Sequence, residues 1–182
     1  MSVVWKRYLQ SIGWKTDMVF PYHHLKKFIF IVGPHTSNWD FVILLAYRNM
    51  LRLQAGFLAK KELFKPPFGF IFRNLGGIPV DRKKSSNLVD EVARIARERE
   101  HFILALSPEG TRSRVEKLKT GFYFIASKAQ LPIIMVGLDY RHKTALFSEP
   151  LLPSEINKDF ETIYGFYRPI EGKFPEKGMM HF

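Results

Sequence analysis

Residues 28–40 read FIFIVGPHTSNWD and contain a complete passage from a strand into a helix. The apolar run at 28–32 predicts a buried strand, which Gly33 and Pro34 end. Ser37 or Asn38 can then cap a helix that continues through FVILLAYRNML. A buried strand followed directly by a helix is typical of a sheet covered by helices.

The same alternation of short apolar runs and helical patterns continues along the chain. Strands are predicted at 56–60, 77–81, 101–107, 132–138 and 144–148, and helices at 3–14, 87–99, 121–130 and 155–165. Strands separated by helices form parallel pairs with crossover connections. The pattern therefore predicts an α/β fold, with a mostly parallel or mixed β-sheet flanked by helices and an N-terminal amphipathic helix.

Composition limits the classes of function. The chain has 182 residues, with 28 Lys and Arg against 17 Asp and Glu, which gives a formal net charge of +11. This excess favours an anionic partner, which could be nucleic acid, anionic lipid or a phosphorylated small molecule. The absence of cysteine excludes disulfides, thiolate zinc sites and a cysteine nucleophile. We see no signal peptide and no apolar run near the roughly 20 residues of a spanning helix, so we expect a soluble or peripheral protein.

Three polar clusters follow predicted strands. They are HTSNWD at 35–40, GGIPVDR at 76–82 and SPEGTR at 107–112. Doubly wound sheets hold their chemistry beyond the carboxyl ends of their parallel strands. We therefore expect the three clusters to lie along one edge of the sheet.

The first cluster suits general base chemistry. Asp40 could accept a hydrogen bond from one imidazole nitrogen of His35, which would fix the tautomer and leave the other nitrogen as the base. No serine stands in a G-x-S-x-G pattern, so the hydroxyl activated by His35 would belong to the substrate. Spacing alone leaves open that the pair only caps the helix.

The other two clusters suit the binding of a phosphorylated ligand. Arg82 and Arg112 each carry a rigid guanidinium fork that fits phosphate. Glu109 could bind a polyol hydroxyl or hold Arg112 in place, and Gly110 permits an unusual backbone angle. Taken singly, each cluster could also be a turn with a surface arginine or a local ion pair.

Together and in this order, the clusters resemble the glycerolipid acyltransferase family, which includes bacterial 1-acyl-sn-glycerol-3-phosphate acyltransferases. Its His-x4-Asp block matches His35 and Asp40, and its Gly-x-x-x-Val-Asp-Arg block matches Gly76 to Arg82. Its Glu-Gly-Thr-Arg block matches Glu109 to Arg112, and a Pro-containing apolar block matches Leu131 to Val136. The resemblance covers residues 28–140.

The resemblance implies the roles of these residues. His35 would be the general base and Asp40 would orient it. The acceptor's glycerol phosphate would be bound by Arg82, Glu109, Gly110, Thr111 and Arg112, and Pro132 and Ile133 would belong to the apolar acyl block. No cofactor or metal is implied, since the co-substrate is an acyl-CoA or acyl carrier protein thioester.

The implied activity is transfer of a fatty acyl group to the free hydroxyl of a lysophospholipid, with 1-acyl-glycerol-3-phosphate as acceptor and phosphatidic acid as product. Another lysolipid, such as a lyso-ornithine lipid, is an alternative acceptor. A single acyltransferase domain would cover 1–182, with an N-terminal helical membrane-contact segment at 1–27, a catalytic core at 28–140 and a C-terminal extension at 141–182. The sequence does not identify the groups that donate hydrogen bonds to the thioester oxygen, and the backbone amides from Gly33 to Thr36 or at Gly110 are the candidates.

A lipid acceptor requires contact with an anionic membrane surface. In the N-terminal helix Trp5, Tyr8, Leu9 and Trp14 accompany Lys6, Arg7 and Lys15, a composition found in interfacial helices. Residues 60–84 contain seven basic and two acidic side chains, interleaved with Phe64, Phe68, Phe70 and Phe72. We expect a peripheral or monotopic protein at the cytoplasmic face of the membrane, although these aromatic residues could instead fill the core.

A non-enzymatic, basic module that binds single-stranded nucleic acid is the remaining alternative. It would account for the charge and the phenylalanine content. It would not account for His35, Asp40, Glu109 and Arg112 at strand ends, and no recognition-module signature is present. We therefore expect no nucleic-acid partner.

Overall fold

The computed structural model describes residues 2–80 and 88–178, and in these the strands and helices alternate. The strands are β1 (Lys27–Gly33), β2 (Gly56–Lys60), β3 (Gly77–Val80), β4 (Phe102–Leu106), β5 (Ile133–Asp139) and β6 (Thr144–Phe147). The helices are α1 (Ser2–Ser11), α2 (Asn38–Met50), α3 (Gly69–Asn74), α4 (Leu88–Glu98), α5 (Gly121–Ala129) and α6 (Ile156–Tyr167). Short 3-10 helices cover Lys61–Phe64 and Pro175–Lys177.

The strands form one mixed sheet in the order β3-β2-β4-β1-β5-β6. The pairs β3–β2, β2–β4, β4–β1 and β1–β5 are parallel, and only β6 runs antiparallel to its neighbour β5. In this register Ile31 of β1 lies between Leu106 of β4 and Met135 of β5. The predicted α/β fold with a mostly parallel or mixed sheet is confirmed.

The central strand β1 is apolar on both faces because helices cover both faces of the sheet. Ile29 and Ile31 join a core with residues of α4, α5 and α6. Phe28, Phe30 and Val32 point to the other face and pack with Leu44 of α2. The two packed layers thus fix the end of β1 and, with it, the start of the loop that carries His35.

The N-terminal helix α1 packs against α2, which changes its expected role. Leu9 and Trp14 are buried with Ile43 and Tyr47 of α2. The expectation that Leu9 and Trp14 face a membrane is therefore wrong. The spacing of apolar residues identifies a buried side of a helix, but it does not say whether protein or lipid covers that side.

The segment between β2 and β3 contains a helix that the sequence did not predict. Helix α3 follows Lys65-Pro66-Pro67 and returns the chain to the start of β3. Gly69 allows this because a Cβ there would clash with the Phe64 carbonyl. Phe64 is buried, whereas Phe68 and Phe70 are exposed. The other predicted elements agree with the structure within three residues at each end.

Across residues 2–80 and 88–178, each helix is too short or too polar to cross a lipid bilayer. Residues 81–87 lie outside the described part of the chain, and Arg82 is among them.

Candidate active site

His35 lies in the loop between β1 and α2, at the carboxyl edge of the sheet. The Gly33–Pro34 peptide bond is cis, and the helix begins directly after the loop. Ser37 caps α2, since its hydroxyl accepts a hydrogen bond from the Trp39 amide at 3.1 Å. Asp40 completes the cap by accepting from the Ser37 amide at 2.9 Å. The local sequence Ser-Asn-Trp-Asp therefore fixes both the helix start and the position of Asp40.

Asp40 is fully buried, and its two carboxylate oxygens have separate partners. Oδ2 lies 3.0 Å from His35 Nδ1 and also accepts from the Thr36 amide at 2.8 Å. Oδ1 accepts from the Tyr140 hydroxyl at 2.6 Å. With the Ser37 amide, the carboxylate thus has four hydrogen-bond partners, and the imidazole of His35 is one of them.

Electrostatics keep Asp40 ionised. Burial opposes its charge, but the hydrogen bonds from His35, Tyr140 and the Ser37 amide outweigh that cost and hold its pKa below the usual range. An ionised carboxylate only accepts hydrogen bonds, so His35 Nδ1 is the donor, and in the neutral form of the ring Nε2 carries the free lone pair. The His35 side chain is 26% exposed and lines a cavity, so a substrate can approach the ring.

Glu109 lies behind His35 and is almost completely buried. Its Oε1 accepts from the His35 backbone amide at 2.7 Å, while its Oε2 has no partner among the described residues. Burial raises the pKa of Glu109 to about 7, and the hydrogen bond from the His35 amide opposes this shift. Glu109 therefore holds the His35 backbone from the loop after β4, instead of pairing with Arg112 as one interpretation of the sequence suggested.

A cavity of about 190 Å³ lies between α2 and the sheet, and His35 forms part of its wall. The wall is mainly apolar, with side chains from β1, α2, β2 and β4. Its larger apolar and aromatic members are Phe30, Phe41, Leu44, Leu45, Tyr47, Leu51, Leu53, Phe57, Leu75, Leu106 and, from β6, Phe147. Arg48 also lines the cavity and donates to the Leu75 carbonyl at 2.9 Å. An apolar space of this kind beside the imidazole of His35 can hold a hydrocarbon chain.

Comparison with known proteins identifies the family. The model of the family described as Acyltransferase matches residues 16–139, which is more than half of the chain. The chain belongs to the acyltransferase family.

A solved structure has the same fold as this acyltransferase. It is the 1-acyl-sn-glycerophosphate (LPA) acyltransferase PlsC from Thermotoga maritima, with a TM-score of 0.63 and 18% sequence identity. The match covers 93% of this chain and 76% of that one. A search of curated protein sequences returns no match.

Only part of the predicted site of this acyltransferase comes together. His35, Asp40 and Glu109 are joined by hydrogen bonds. Gly110, with a φ of 68°, turns the loop after β4, and Thr111 and Arg112 are exposed in that loop. Arg82 lies outside the described residues.

Pro132 and Ile133 do not reach the site. They stand at the amino end of β5, where Ile133 pairs with Ile29, whereas Gly137 pairs with Gly33 near His35. Ile133 is buried on the α4–α5–α6 face, away from the cavity. Within the fourth block it is Val136 that lines the cavity instead. The apolar block thus acts mainly as a core strand.

Of the backbone amides proposed as oxyanion donors, those of His35, Thr36 and Gly110 already have acceptors. His35 donates to Glu109, Thr36 donates to Asp40, and Gly110 donates to the Ser107 carbonyl at 3.2 Å. These amides organise the catalytic loop.

Sequence reasoning missed Tyr140, which follows β5 directly. The signal that could have found it is its position, because the other site residues also follow strands at the carboxyl edge. Its backbone amide donates to the Glu171 carbonyl at 2.9 Å, and its ring packs edge-on against Trp14 at 5.0 Å. Tyr140 thus contacts Asp40, the N-terminal segment through Trp14 and the C-terminal segment through Glu171.

Proposed function

We propose that this acyltransferase moves a fatty acyl group from a thioester to the free hydroxyl of a lysophospholipid, with 1-acyl-glycerol-3-phosphate as acceptor and phosphatidic acid as product. The observation that carries the proposal is the His35–Asp40 hydrogen bond, in which the pKa of Asp40 is held low and the His35 ring is partly exposed. The thioester would come from acyl-CoA or acyl carrier protein, and no metal or other cofactor takes part.

The geometry of the pair supports a direct transfer. His35 Nε2 takes the proton of the acceptor hydroxyl as its oxygen attacks the thioester carbonyl carbon. A C–O bond forms, the C–S bond breaks, and the imidazolium returns the proton to the leaving thiolate. Asp40 stabilises the imidazolium in between without taking its proton.

The surroundings of the pair support a lipid acceptor with a phosphate. Arg112 is exposed in the loop after β4, which leaves the same edge of the sheet as His35. Together with Arg82 it would hold the phosphate, with the Glu109–Thr111 turn placing the glycerol. The apolar cavity beside His35 would take an acyl chain. Since the acceptor resides in a bilayer, the protein would work as a peripheral or monotopic enzyme at the cytoplasmic face.

The decisive experiment is an acyl-transfer assay with labelled acyl-CoA and acyl carrier protein against a panel of lysolipids, with products resolved by mass. A lyso-ornithine lipid belongs in the panel as an acceptor without the glycerol phosphate. Product formed only from acceptors that lack a phosphate would overturn the proposed substrate class. No transfer to any acceptor would overturn the proposed activity.

Two substitutions test the roles of individual residues. His35→Ala should lower kcat by roughly 10²–10⁴-fold while circular dichroism stays unchanged, because a general base supplies about that factor.

Arg112→Ala should raise KM for the acceptor more than KM for the donor. Arg99→Ala is the matched control, since Arg99 precedes β4 at the opposite edge of the sheet. A larger effect of Arg112→Ala on the donor would contradict the phosphate assignment.

A further inference from the structure

We propose that the surface around the mouth of the active site docks on an anionic lipid bilayer, through a rim cluster of Trp39, Phe41, Lys173, Phe174 and Lys177. Three of these residues come from the segment 171–178, which lies beyond the region matched by the family model. The choice of a lipid partner rests on the proposed function, but the contacts below do not.

The C-terminal segment is fastened to the catalytic loop. The Phe174 amide donates to the Thr36 hydroxyl at 3.2 Å, one residue after His35. Gly172 lies so close to Thr36 and Pro34 that a Cβ there would approach the Thr36 side chain to 2.9 Å. This attachment fixes the segment beside the catalytic base.

The rim cluster combines exposed rings with cations. Trp39 is 52% exposed, Phe41 43% and Phe174 37%. Lys173 Nζ lies 5.1 Å from the centre of the Trp39 ring, and Lys177 Nζ lies 4.6 Å from that of Phe174. Large apolar side chains in this number at one site mark an interaction surface. Rings flanked by lysines suit a bilayer interface, where the rings enter the headgroup layer and the ammonium groups meet lipid phosphates.

The charge of the surrounding loops matches the same partner. Glu171 and Glu176 balance the two lysines within the segment itself. The neighbouring loop after β4, however, carries Arg112, Arg114, Lys117 and Lys119 against the single carboxylate Glu116 on its exposed surface. The edge of the sheet that holds His35 thus presents a surplus of cations to an anionic surface.

Of the two segments expected to contact the membrane, the N-terminal helix α1 is already covered by protein. The apolar side of α1 packs on α2 through Leu9 and, just after the helix, Trp14. Docking through the rim cluster instead would turn His35 and the cavity mouth towards the bilayer. A lipid acceptor could then reach the base without leaving the membrane.

The experiment is cosedimentation of the full chain with vesicles, which requires no substrate. Vesicles of phosphatidylcholine with an equal amount of phosphatidylglycerol should bind the wild-type protein and release it in high salt. The double variant Lys173→Glu/Lys177→Glu should bind at least about tenfold more weakly. The matched control is Arg97→Glu/Arg99→Glu, which changes the net charge equally but lies where α4 leads into the start of β4. This control should bind like the wild type.

A second measurement tests insertion of the ring. Lipids brominated in their acyl chains should quench the tryptophan fluorescence of the bound protein, and Trp39→Phe should remove most of this quenching while binding persists. Quenching that Trp39→Phe leaves unchanged would contradict the assigned contact, because Trp5 or Trp14 would then be the residue in the bilayer.

Each outcome bears on one proposal only. Equal vesicle binding by the wild type and the Lys173/Lys177 variant would overturn the docking surface. So would unchanged vesicle binding together with loss of saturable acyl carrier protein binding in that variant, which would assign the rim cluster to a protein partner. Absence of acyl transfer with intact, rim-dependent vesicle binding would overturn the proposed function and leave the docking surface standing.

Discussion

At the scale of single residues, Tyr140 should position Asp40 for catalysis. Tyr140→Phe removes a donor to a buried carboxylate, and a hydrogen bond to a charged group contributes about 1.5–3 kcal/mol. We expect kcat to fall by about tenfold or more with KM nearly unchanged. Because the pKa of Asp40 rises when this donor is lost, the acidic limb of the kcat/KM profile should move to higher pH.

The matched control for Tyr140 is Tyr123→Phe. Tyr123 donates to Asp159 at 2.8 Å, so the chain offers a second tyrosine–aspartate hydrogen bond far from the catalytic loop. This variant should lose stability but keep the pH profile of the wild type. A Tyr140→Phe profile that matches the Tyr123→Phe profile would mean that Tyr140 is structural only.

Glu109 should make stability depend on pH. Its pKa is about 7 in the folded protein against 4.5 ordinarily, so the folded state binds its proton more tightly than the unfolded state does. This stabilisation is complete below pH 4.5 and is lost as pH rises through 7. Relative to Glu109→Gln, the wild type should therefore lose about 3 kcal/mol of unfolding free energy between pH 4.5 and 8. Urea denaturation at both pH values measures the difference, and equal pH dependence of the two proteins would contradict the shift.

Within the site, the contacts between residues close in sequence could be predicted, and those between distant residues could not. The spacing of His35 and Asp40 allowed their contact because a strand, a turn and a capped helix leave few local geometries, and the family resemblance then favoured it over a helix cap alone. Tyr140 lies 100 residues from Asp40 in sequence, and local patterns do not encode which side chain meets a carboxylate from that distance. The backbone role of Glu109 was missed for the same reason.

At the scale of elements, α1 should stabilise the fold through its contact with α2. Leu9→Ala removes a fully buried side chain and should cost about 3 kcal/mol of unfolding free energy. Val4→Ala, at a position that is 68% exposed, is the control and should change stability by less than about 0.5 kcal/mol. Equal, small effects in chemical denaturation would mean that α1 is only loosely attached.

Elements whose apolar residues recur with a clear helix or strand spacing were predicted, and elements that depend on tertiary contacts were not. The run at 28–32 and the helix at 87–99 carry their patterns in full, and both appear in the structure. Helix α3 has only six residues and depends on the close contact of Gly69 with Phe64, which no periodicity signals. The apolar side of α1 was identified correctly, but its cover is α2.

At the scale of the whole molecule, protection from exchange should fall from the centre of the sheet to its edge. Strand β1 pairs with β4 on one side and β5 on the other, and its side chains are buried on both faces. Segment α3–β3 lies at the end of the sheet order and is more exposed. Amide hydrogen exchange should therefore be at least about tenfold slower in β1 than in β3. Similar rates in both strands would contradict this gradient.

The type of sheet could be predicted from the sequence, but the order of its strands could not. Alternating strands and helices imply parallel pairing, and the carboxyl-edge rule then brought His35 and Glu109 together correctly. Nothing in the pattern fixed the sequence of neighbours β3-β2-β4-β1-β5-β6 or the antiparallel β6. The strand order and the antiparallel β6 depend on which strands pack together in the two apolar cores, and those strands are distant in sequence.

The reciprocal cap of Ser37 and Asp40 links the first turn of α2 to the His35–Asp40 pair, because Asp40 belongs to both. Asp40 Oδ2 closes the helix start and holds the imidazole with the same atom. Fraying of that turn would therefore abolish turnover, while most of the helical ellipticity of the protein would remain. In a heat or urea titration, turnover would disappear at milder conditions than ellipticity, and the protein would report local melting through its own reaction rate.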